Sequence, residues 1–566
     1  MRIKSTLTLC GLIISFCVSS QNFAYQWGKA FNGTFLTGFY KTVKAANSDL
    51  IIAGGFRETA DVDFSADGVQ EFTVTVGVHN PCIIRTTYDG DFIWGIHIKG
   101  QVFVNELLLD ADDNIYIAGD FEGTVDFDPG DNTLEAVSQG AHDSYVAKYS
   151  STGALVWAKF FGGFQQQVTT AMVMDDAGDL IFTGYFEYTV DFDPSDGVSE
   201  LTPLVNDVSV DVFIVKWTGD GAFVWAKQLG GVGSQLPYDM TRDGEQNILI
   251  TGTITDTMDC DPGINENLMT PVGTGFTAFV VKLNHDAELI WAQQYGDGSQ
   301  DQGVAIETDS ENNIYHTGRF DGTADFEVGA GTAEVTAFGN RDVFISKLQP
   351  DGTFLWVSSL GGADTDHPTD MDVDADGNVY VCGLFQTTCD FDPSDGVQNI
   401  SVYGDFDGFI SVLNTDGEYL WATRQGNNSY NAGISIMVDD GYIFSMGVFA
   451  YGCFLDPEND DVNSVVATGD SEGFIAKYAH PAIGDNVGET ISINAEIYPN
   501  PASDFISIKG ISSHATIILS DITGKIVLNE SVMRDRTLDI SSIEAGIYVL
   551  HIEENGMRVT KKVAVE

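Results

Sequence analysis

Short runs in which apolar and polar residues alternate, separated by turns rich in Asp and Gly, fill the chain from about residue 25 to residue 480. One stretch shows the pattern. Thr369-Asp370-Met371-Asp372-Val373 leads through Asp374-Ala375-Asp376-Gly377 into Asn378-Val379-Tyr380-Val381-Cys382-Gly383. After an acidic excursion, Gly408-Phe409-Ile410-Ser411-Val412 leads through Asn414-Thr415-Asp416-Gly417 into Tyr419-Leu420-Trp421. A period of two predicts strands, and the Asp-Gly turns predict hairpins; no helical period of useful length lies between them.

This four-segment unit recurs. Trp27, Trp94, Trp157, Trp225, Trp291, Trp356 and Trp421 follow one another at intervals of 67, 63, 68, 66, 65 and 65 residues. The second segment carries Gly54, Gly119, Gly184, Gly252, Gly318, Gly383 and Gly447. The third carries Cys82, Tyr145, Phe213, Phe279, Phe344, Phe409 and Phe474, with a base three residues on at Arg85, Lys148, Lys216, Lys282, Lys347 and Lys477, and Val412 as the exception. Such columns suit stacked four-stranded sheets, with glycine where sheets approach closely and aromatics between neighbours. Six units are complete. The seventh stops after Phe474-Ile475-Ala476-Lys477-Tyr478 without a Trp strand, while Tyr25 to Phe31 is a Trp strand without a unit. A ring in which the N-terminal strand completes the last blade resolves both anomalies and hides the sheet edges. The predicted fold is all-β, a seven-bladed β-propeller over residues 25–480.

Composition adds address and excludes some partners. The 566 residues carry a formal charge of −57, which makes nucleic acid and anionic membranes poor partners. Arg2 and Lys4 before the apolar run Leu7 to Val18 predict a secretory signal over residues 1–20, and no other stretch is long and apolar enough to be a transmembrane segment. Beyond that signal, Cys82, Cys260, Cys382, Cys389 and Cys453 share no repeating spacing and read as small buried hydrophobes, with Cys382 and Cys389 near enough in sequence to pair. From residue 481 the columns end in a linker, 481–493. Residues 494–566 predict a small immunoglobulin-like β-sandwich, through strands such as Phe505-Ile506-Ser507-Ile508 and Ile547-Tyr548-Val549-Leu550.

Two resemblances sharpen this. The Trp strand, the Gly-Gly pair, the Asp376-Gly377-Asn378-Val379-Tyr380-Val381 turn and Asp390-Phe391-Asp392-Pro393 resemble the SBBP β-propeller repeats of secreted and surface bacterial proteins. The tail resembles the type A C-terminal sorting domain of type IX secretion in Bacteroidota, through Tyr498, Pro499, Asn500 and Pro501, then Gly524 and Lys525, Gly546 and Tyr548, and Lys561 and Lys562. That resemblance implies the secretion machinery as a partner, export across the outer membrane, and attachment to the cell surface or release.

Candidate chemistry is sparse. The chain has no Gly-x-Ser-x-Gly elbow, His-Glu-x-x-His, P-loop or paired Cys motif, and its nine histidines share no column. The recurrent polar feature is an acidic loop after the second strand, with Asp126, Asp128 and Asp131, then Asp191, Asp193 and Asp196, and later Asp390, Asp392 and Asp395. Closely spaced acids on a bent backbone suit calcium; equally, aspartates cap turns and keep a surface solvated. The lysine column and the acids Asp143, Asp211, Asp342 and Asp407 read as repeated structural pairs at blade ends, and Trp217 as filler between blades. The expectation is a non-enzymatic binding, adhesion or scaffold protein that takes an extracellular glycan or protein ligand on its acidic-loop face. The alternative is a secreted polysaccharide hydrolase or lyase with acids at the channel mouth.

Overall fold

The computed structural model describes residues 23–480, apart from short loop segments (34–37, 64–68, 75–76, 206–208, 272, 274, 297–299, 330, 395, 457–463 and 468–470), together with the strands and some turns of 496–565. The signal segment 1–20 and the linker 481–493 lie outside the described residues. The chain divides into two compact units, 1–481 and 482–566.

The first unit is a ring of seven antiparallel sheets, each built in the order a-b-c-d from the channel outward. The inner strands a of blades 1 to 7 are Gly38–Lys44, Lys99–Leu109, Gln167–Met174, Gln235–Arg242, Gln302–Thr308, His367–Val373 and Asn431–Asp439. Strands b and c lie between neighbouring blades, so both of their faces are covered. Leu50–Phe56 and Asn80–Thr86 of blade 1, and Ile248–Ile254 and Thr277–Leu283 of blade 4, are buried at every position. Each fully buried Phe, Ile or Val there contributes roughly 1.5–3 kcal/mol. The outer strands, such as Leu155–Phe161, keep one face to solvent and retain the alternating pattern.

The ring closes as the strand count requires. Ala24–Gly33 serves as strand d of blade 7, pairing antiparallel with Glu472–Ala479, with Trp27 opposite Lys477 and Ala30 opposite Phe474. The same strand then pairs with Thr59–Asp61 of blade 1, through Gly33 and Ala60. The same pairing recurs in blades 4 and 6, and as a single bridge in blade 7: the acidic loop forms a short hairpin that adds to the end of strand d of the blade before it, through Gly230 with Asp259, Gly361 with Asp390 and Gly426 with Phe454. The loops therefore stitch blades together.

Two glycine columns have steric causes. Every strand a carries a register shift at its centre: Phe39/Lys41, Val104/Glu106, Thr169/Ala171, Pro237/Asp239, Gly303/Ala305, Pro368/Asp370 and Gly433/Ser435. The bulge pushes a carbonyl oxygen into the space that a side chain on strand b would need. A Cβ on Gly184 would stand 1.9 Å from the Val168 oxygen, and one on Gly318 1.9 Å from the Gln302 oxygen. The second column is in the c–d turn, where Gly153, Gly221, Gly352 and Gly417 have φ of 83°, 76°, 85° and 80° and lie beneath Trp94, Trp157, Trp291 and Trp356 of the preceding blade. Trp217 is fully buried, and its Nε1 donates to the Phe192 carbonyl at 3.2 Å. All five cysteines beyond the signal are free and buried, Cys382 and Cys389 included.

The lysine column is the third tie. Lys282 Nζ meets Asp243 of its own a–b turn at 2.8 Å and donates to the Pro350 carbonyl of the next blade at 2.9 Å. Lys148 and Lys216 meet Asp110 and Asp175 in the same way at 3.1 and 2.7 Å. The acids that open strand c have a different partner: Asp211, Asp342 and Asp407 accept the amides of Leu204, Phe338 and Tyr403 at 2.9, 2.6 and 2.7 Å. Their carboxyl groups fill the space above Gly230, Gly361 and Gly426, which is why glycine ends strand d.

The second unit holds a three-stranded sheet (Glu496–Tyr498, Phe505–Lys509, Arg536–Asp539) and a four-stranded one (Ile526–Val532, Ala515–Asp521, Gly546–Glu554, Met557–Val565). Ile506 and Leu538 from the first share one core with Ile517, Leu519 and Leu550 from the second, as two layers of a small sandwich do.

Two outcomes follow from the ring. Ala30→Pro, in the closing strand opposite Phe474, removes a ladder amide and should cost about 3 kcal/mol of stability, read as a lower midpoint in urea. Gly318→Ala should cost roughly 2–4 kcal/mol in the same assay, because backbone rather than a flexible side chain occupies the space.

Candidate functional site

The bulge in each inner strand has a consequence for the channel. It brings two consecutive positions of the inner strands to the axis in most blades, and these positions vary widely in residue type. After the bulge stand Lys41, Glu106, Ala171, Asp239, Ala305, Asp370 and Ser435, and at the bulge Tyr40, Asn105, Thr170, Tyr238, Val304, Thr369 and Ile434. Most of them line a cavity of 450 Å³ on the axis. Glu307 and Asp372 stand two residues further along their own strands.

One ammonium and five carboxyl groups share this channel. Lys41 of blade 1 reaches past blade 7 to Asp370 of blade 6 at 3.5 Å. The acids also tie blades together. Asp239 accepts the Ile306 amide at 2.8 Å, Asp370 the Ile436 amide at 3.1 Å and the Ser435 hydroxyl at 2.7 Å, and Asp372 the Val438 amide at 2.6 Å. Glu307 accepts the Thr241 hydroxyl at 3.0 Å.

Protonation follows from that crowding. Burial pushes Glu106 up to about 7, against the pull of Lys41. Burial likewise carries Asp372 up to about 7, with Asp370 adding to it. Asp239 is raised by burial, and Glu307 lies well above the usual range through burial and the charges of Asp372 and Asp239. Burial alone would lower Lys41, but Asp370, Glu106, Asp239 and Glu307 outweigh it and hold the lysine above its ordinary value. The channel is therefore a partly protonated acid cluster around one firmly charged lysine.

At the end of the channel where strands b finish, each blade presents one more variable position, directly after the strand b glycine: Asp120 in blade 2, Tyr185 in blade 3, Arg319 in blade 5. Asp120 meets His142 Nδ1 at 2.7 Å, which raises the histidine. In blade 1, Tyr40 donates to His79 Nε2 at 2.7 Å while His79 Nδ1 donates to the Val102 carbonyl at 2.8 Å, one consistent tautomer. A separate cleft of 810 Å³ lies at the rim between blades 1 and 2. Its polar groups already engage one another, Gln101 with Glu122 and the Gly100 amide with Asn80.

The loop acids predicted for calcium are placed otherwise. Asp126 Oδ1 accepts the amides of Asp128 and Leu134 at 3.2 and 2.9 Å; Asp191 Oδ1 accepts those of Asp193 and Ser199 at 3.1 and 2.8 Å. Asp390 Oδ1 takes Asp392 and Gln398 at 3.1 and 2.7 Å. Asp128, Asp193 and Asp392 accept the amides of Gly130, Ser195 and Ser394. Asp131 and Asp196 stand in the exposed turn, and Asp395 lies outside the described residues. Among the described residues no group of three or more His, Cys, Asp or Glu is placed to hold a metal ion. Asp126, Asp128, Asp191, Asp193, Asp390 and Asp392 each close their own turn, which shapes the hairpins these loops form. The channel columns, by contrast, gave no motif to the sequence reading. Their signal is positional: a residue thirteen before the strand b glycine in six blades, twelve in blade 7, that ranges over Lys, Glu, Asp, Ser and Ala.

Of the sorting residues, Tyr498 lies in Glu496–Tyr498, Gly546 and Tyr548 in Gly546–Glu554, and Lys561 and Lys562 in Met557–Val565. Tyr548 is buried in the core of the second unit, and Lys525 is exposed just before Ile526–Val532. Pro499, Asn500, Pro501 and Gly524 lie outside the described residues.

Known proteins agree with both units. A family described as a β-propeller repeat, SBBP, matches residues 224–257, the span from the Trp225 strand through strand b of blade 4. The secretion system C-terminal sorting domain family matches residues 496–566. An uncharacterized WD repeat-containing protein of Acanthamoeba polyphaga mimivirus is 21% identical, covering 81% of this chain and 39% of that protein; the chain thus spans about two fifths of its relative. Among solved structures, a protein of unknown function from Bacteroides caccae is 9% identical with a TM-score of 0.28, covering 61% of this chain and 89% of that one. PorZ, an essential surface component of the type IX secretion system of Porphyromonas gingivalis, is 11% identical with a TM-score of 0.20, covering 97% and 86%. Neither likeness bears on function. Among the described residues no helix is long and apolar enough to cross a membrane. The chain is a seven-bladed propeller with an SBBP repeat, and it carries the C-terminal sorting domain of type IX secretion, which directs export to the cell surface or the extracellular space.

Proposed function

We propose that the exported protein is a non-enzymatic binding or scaffold propeller, which takes an extracellular glycan or protein ligand at the mouth of its central channel. One observation carries this reading. Blades that largely repeat at their packing positions diverge at the axial columns, where Lys41, Glu106, Asp239 and Ala305 occupy one position and Tyr40, Asn105, Thr170 and Val304 the other. A packing column is held constant by the neighbour it must fit; a column released from that constraint is free to be shaped by a ligand. The acidic loops, expected to form the binding face, use their carboxylates on their own turns and their edges on the preceding blade.

The polysaccharide-degrading alternative keeps one supporting observation. Glu106 and Asp372, each near 7, sit where a general acid titrating at neutral pH would be of use. Asp239, Asp370 and Asp372 already accept the amides of Ile306, Ile436 and Val438, which ties blades together, so binding is the better reading.

A glycan array probed with the secreted protein should show saturable binding that Tyr238→Ala abolishes without lowering the melting temperature; turnover of a polysaccharide panel that Glu106→Gln abolishes would replace binding with catalysis. Deleting 496–566 should leave the protein inside the outer membrane of a type IX-competent host, read by fractionation. The channel also sets a pH dependence. Carboxyl groups raised in the folded state hold protons that the unfolded chain has released, so stability should fall as pH rises from about 4.5 through 7. Glu106→Gln should flatten that slope in urea titrations at pH 5 and pH 8.

A further inference from the structure

Blades 4, 5 and 6 meet at the channel mouth around two arginines, Arg319 and Arg341, that no carboxylate among the described residues pairs with. Arg319 ends strand b of blade 5 and lies opposite Val343 of strand c. Arg341 directly precedes that strand, and its carbonyl accepts the Asp366 amide at 2.8 Å, next to His367 at the start of strand a of blade 6. Tyr238, at the bulge of blade 4, lines the axial cavity beside them and is 37% exposed.

Each of these groups is short of a partner. Arg341 donates to a neutral acceptor, Gln300, at 3.1 Å. The Nε of Arg319 and the Nδ1 of His367 are buried with no hydrogen bond. Elsewhere in the first unit Arg85, Arg242 and Arg424 meet carboxylates, namely Asp49, Asp176 and Asp407, while the Nε of Arg57 is likewise buried without a hydrogen bond. In a chain with 57 excess negative charges, two adjacent arginines that meet no carboxylate among the described residues stand out, and their mutual repulsion costs stability. Burial, and after it the charge of Arg341, lowers Arg319 from its ordinary value. Burial, with Arg319 and Arg341 behind it, takes His367 down to about 4, so its ring is neutral at pH 7 and offers a hydrogen bond to a hydroxyl.

We infer that Arg319 and Arg341, with His367 and Tyr238 beside them, form a binding site for one oxyanion, a carboxylate or sulfate group carried on an otherwise uncharged, hydroxyl-bearing ligand. Guanidinium forks match the two oxygens of such a group, and an anion between them relieves the repulsion of Arg319 by Arg341. Tyr238 supplies a flat apolar face for the uncharged body. The net charge limits the ligand. A long polyanion is repelled strongly by the ring as a whole, whereas a single anionic group meets a far smaller repulsion.

This inference deepens the binding reading and can fail separately from it. Calorimetric titration of the full secreted chain would use sodium glucuronate, sodium sulfate and glucose as probes. Saturable binding of glucuronate or sulfate, absent with glucose and weakened tenfold or more in Arg319→Gln and in Arg341→Gln, is the expected result. Arg242→Gln, at the opposite end of the channel, should bind as the parent does. Arg319→Gln should melt no lower than the parent without ligand, since an arginine with no partner stabilises nothing. Failure of both anions to bind, or undiminished binding in both arginine variants, would overturn the inference; a positive glycan array beside that failure would leave the binding reading standing. A lower melting temperature for ligand-free Arg319→Gln would also overturn it, by making the arginine structural.

Discussion

A four-stranded sheet whose middle strands are apolar on both faces cannot stop at one copy. Leu50–Phe56 and its equivalents need a neighbour on each side, and a row of such sheets ends in two exposed faces unless it bends into a circle. Everything else in the first unit serves that closure. Ala24–Gly33 joins the last sheet to the first, and Trp residues lie on the turn glycines of the following blade. Lysines bridge from an a–b turn to the next c–d turn, and acidic hairpins add a further strand to the blade behind.

The bulge on strand a links this packing to the site. It costs each blade a glycine on strand b, because a displaced carbonyl takes the place of a side chain. In return it brings two residues to the axis in most blades and leaves a backbone amide free for the neighbour's carboxylate, as Asp239 and Asp370 show with Ile306 and Ile436. The same geometric defect thus sets the shape of the channel, its acidity and part of the cohesion between blades. Protonation near neutral pH follows without any motif, because crowding carboxyl groups into a narrow, poorly solvated tube disfavours their charge.

The acidic loops show how a conspicuous pattern can serve a local purpose. Asp-x-Asp-Pro recurs more visibly than any other polar feature, yet Asp126, Asp191 and Asp390 use it to fold a turn back on its own amides. The groups that distinguish one blade from another are single residues in the least conspicuous strand.

The sequence by itself determined the blade count, the ring closure and the sorting tail, because each rests on periodicity or on contiguous motifs: the Trp register, the missing seventh Trp strand, the run from Tyr498 to Lys562. It also placed the glycine columns, though not their cause. The partners of the lysines, the role of the loops and the whole channel were decided by tertiary structure alone. Lys41 and Asp370 stand 329 residues apart and meet only because seven sheets share an axis. Arg319 and His367 come together only because adjacent blades converge there. Local pattern specifies which residues make a strand and which face it buries; what converges at the centre of a ring depends on where every other blade ends.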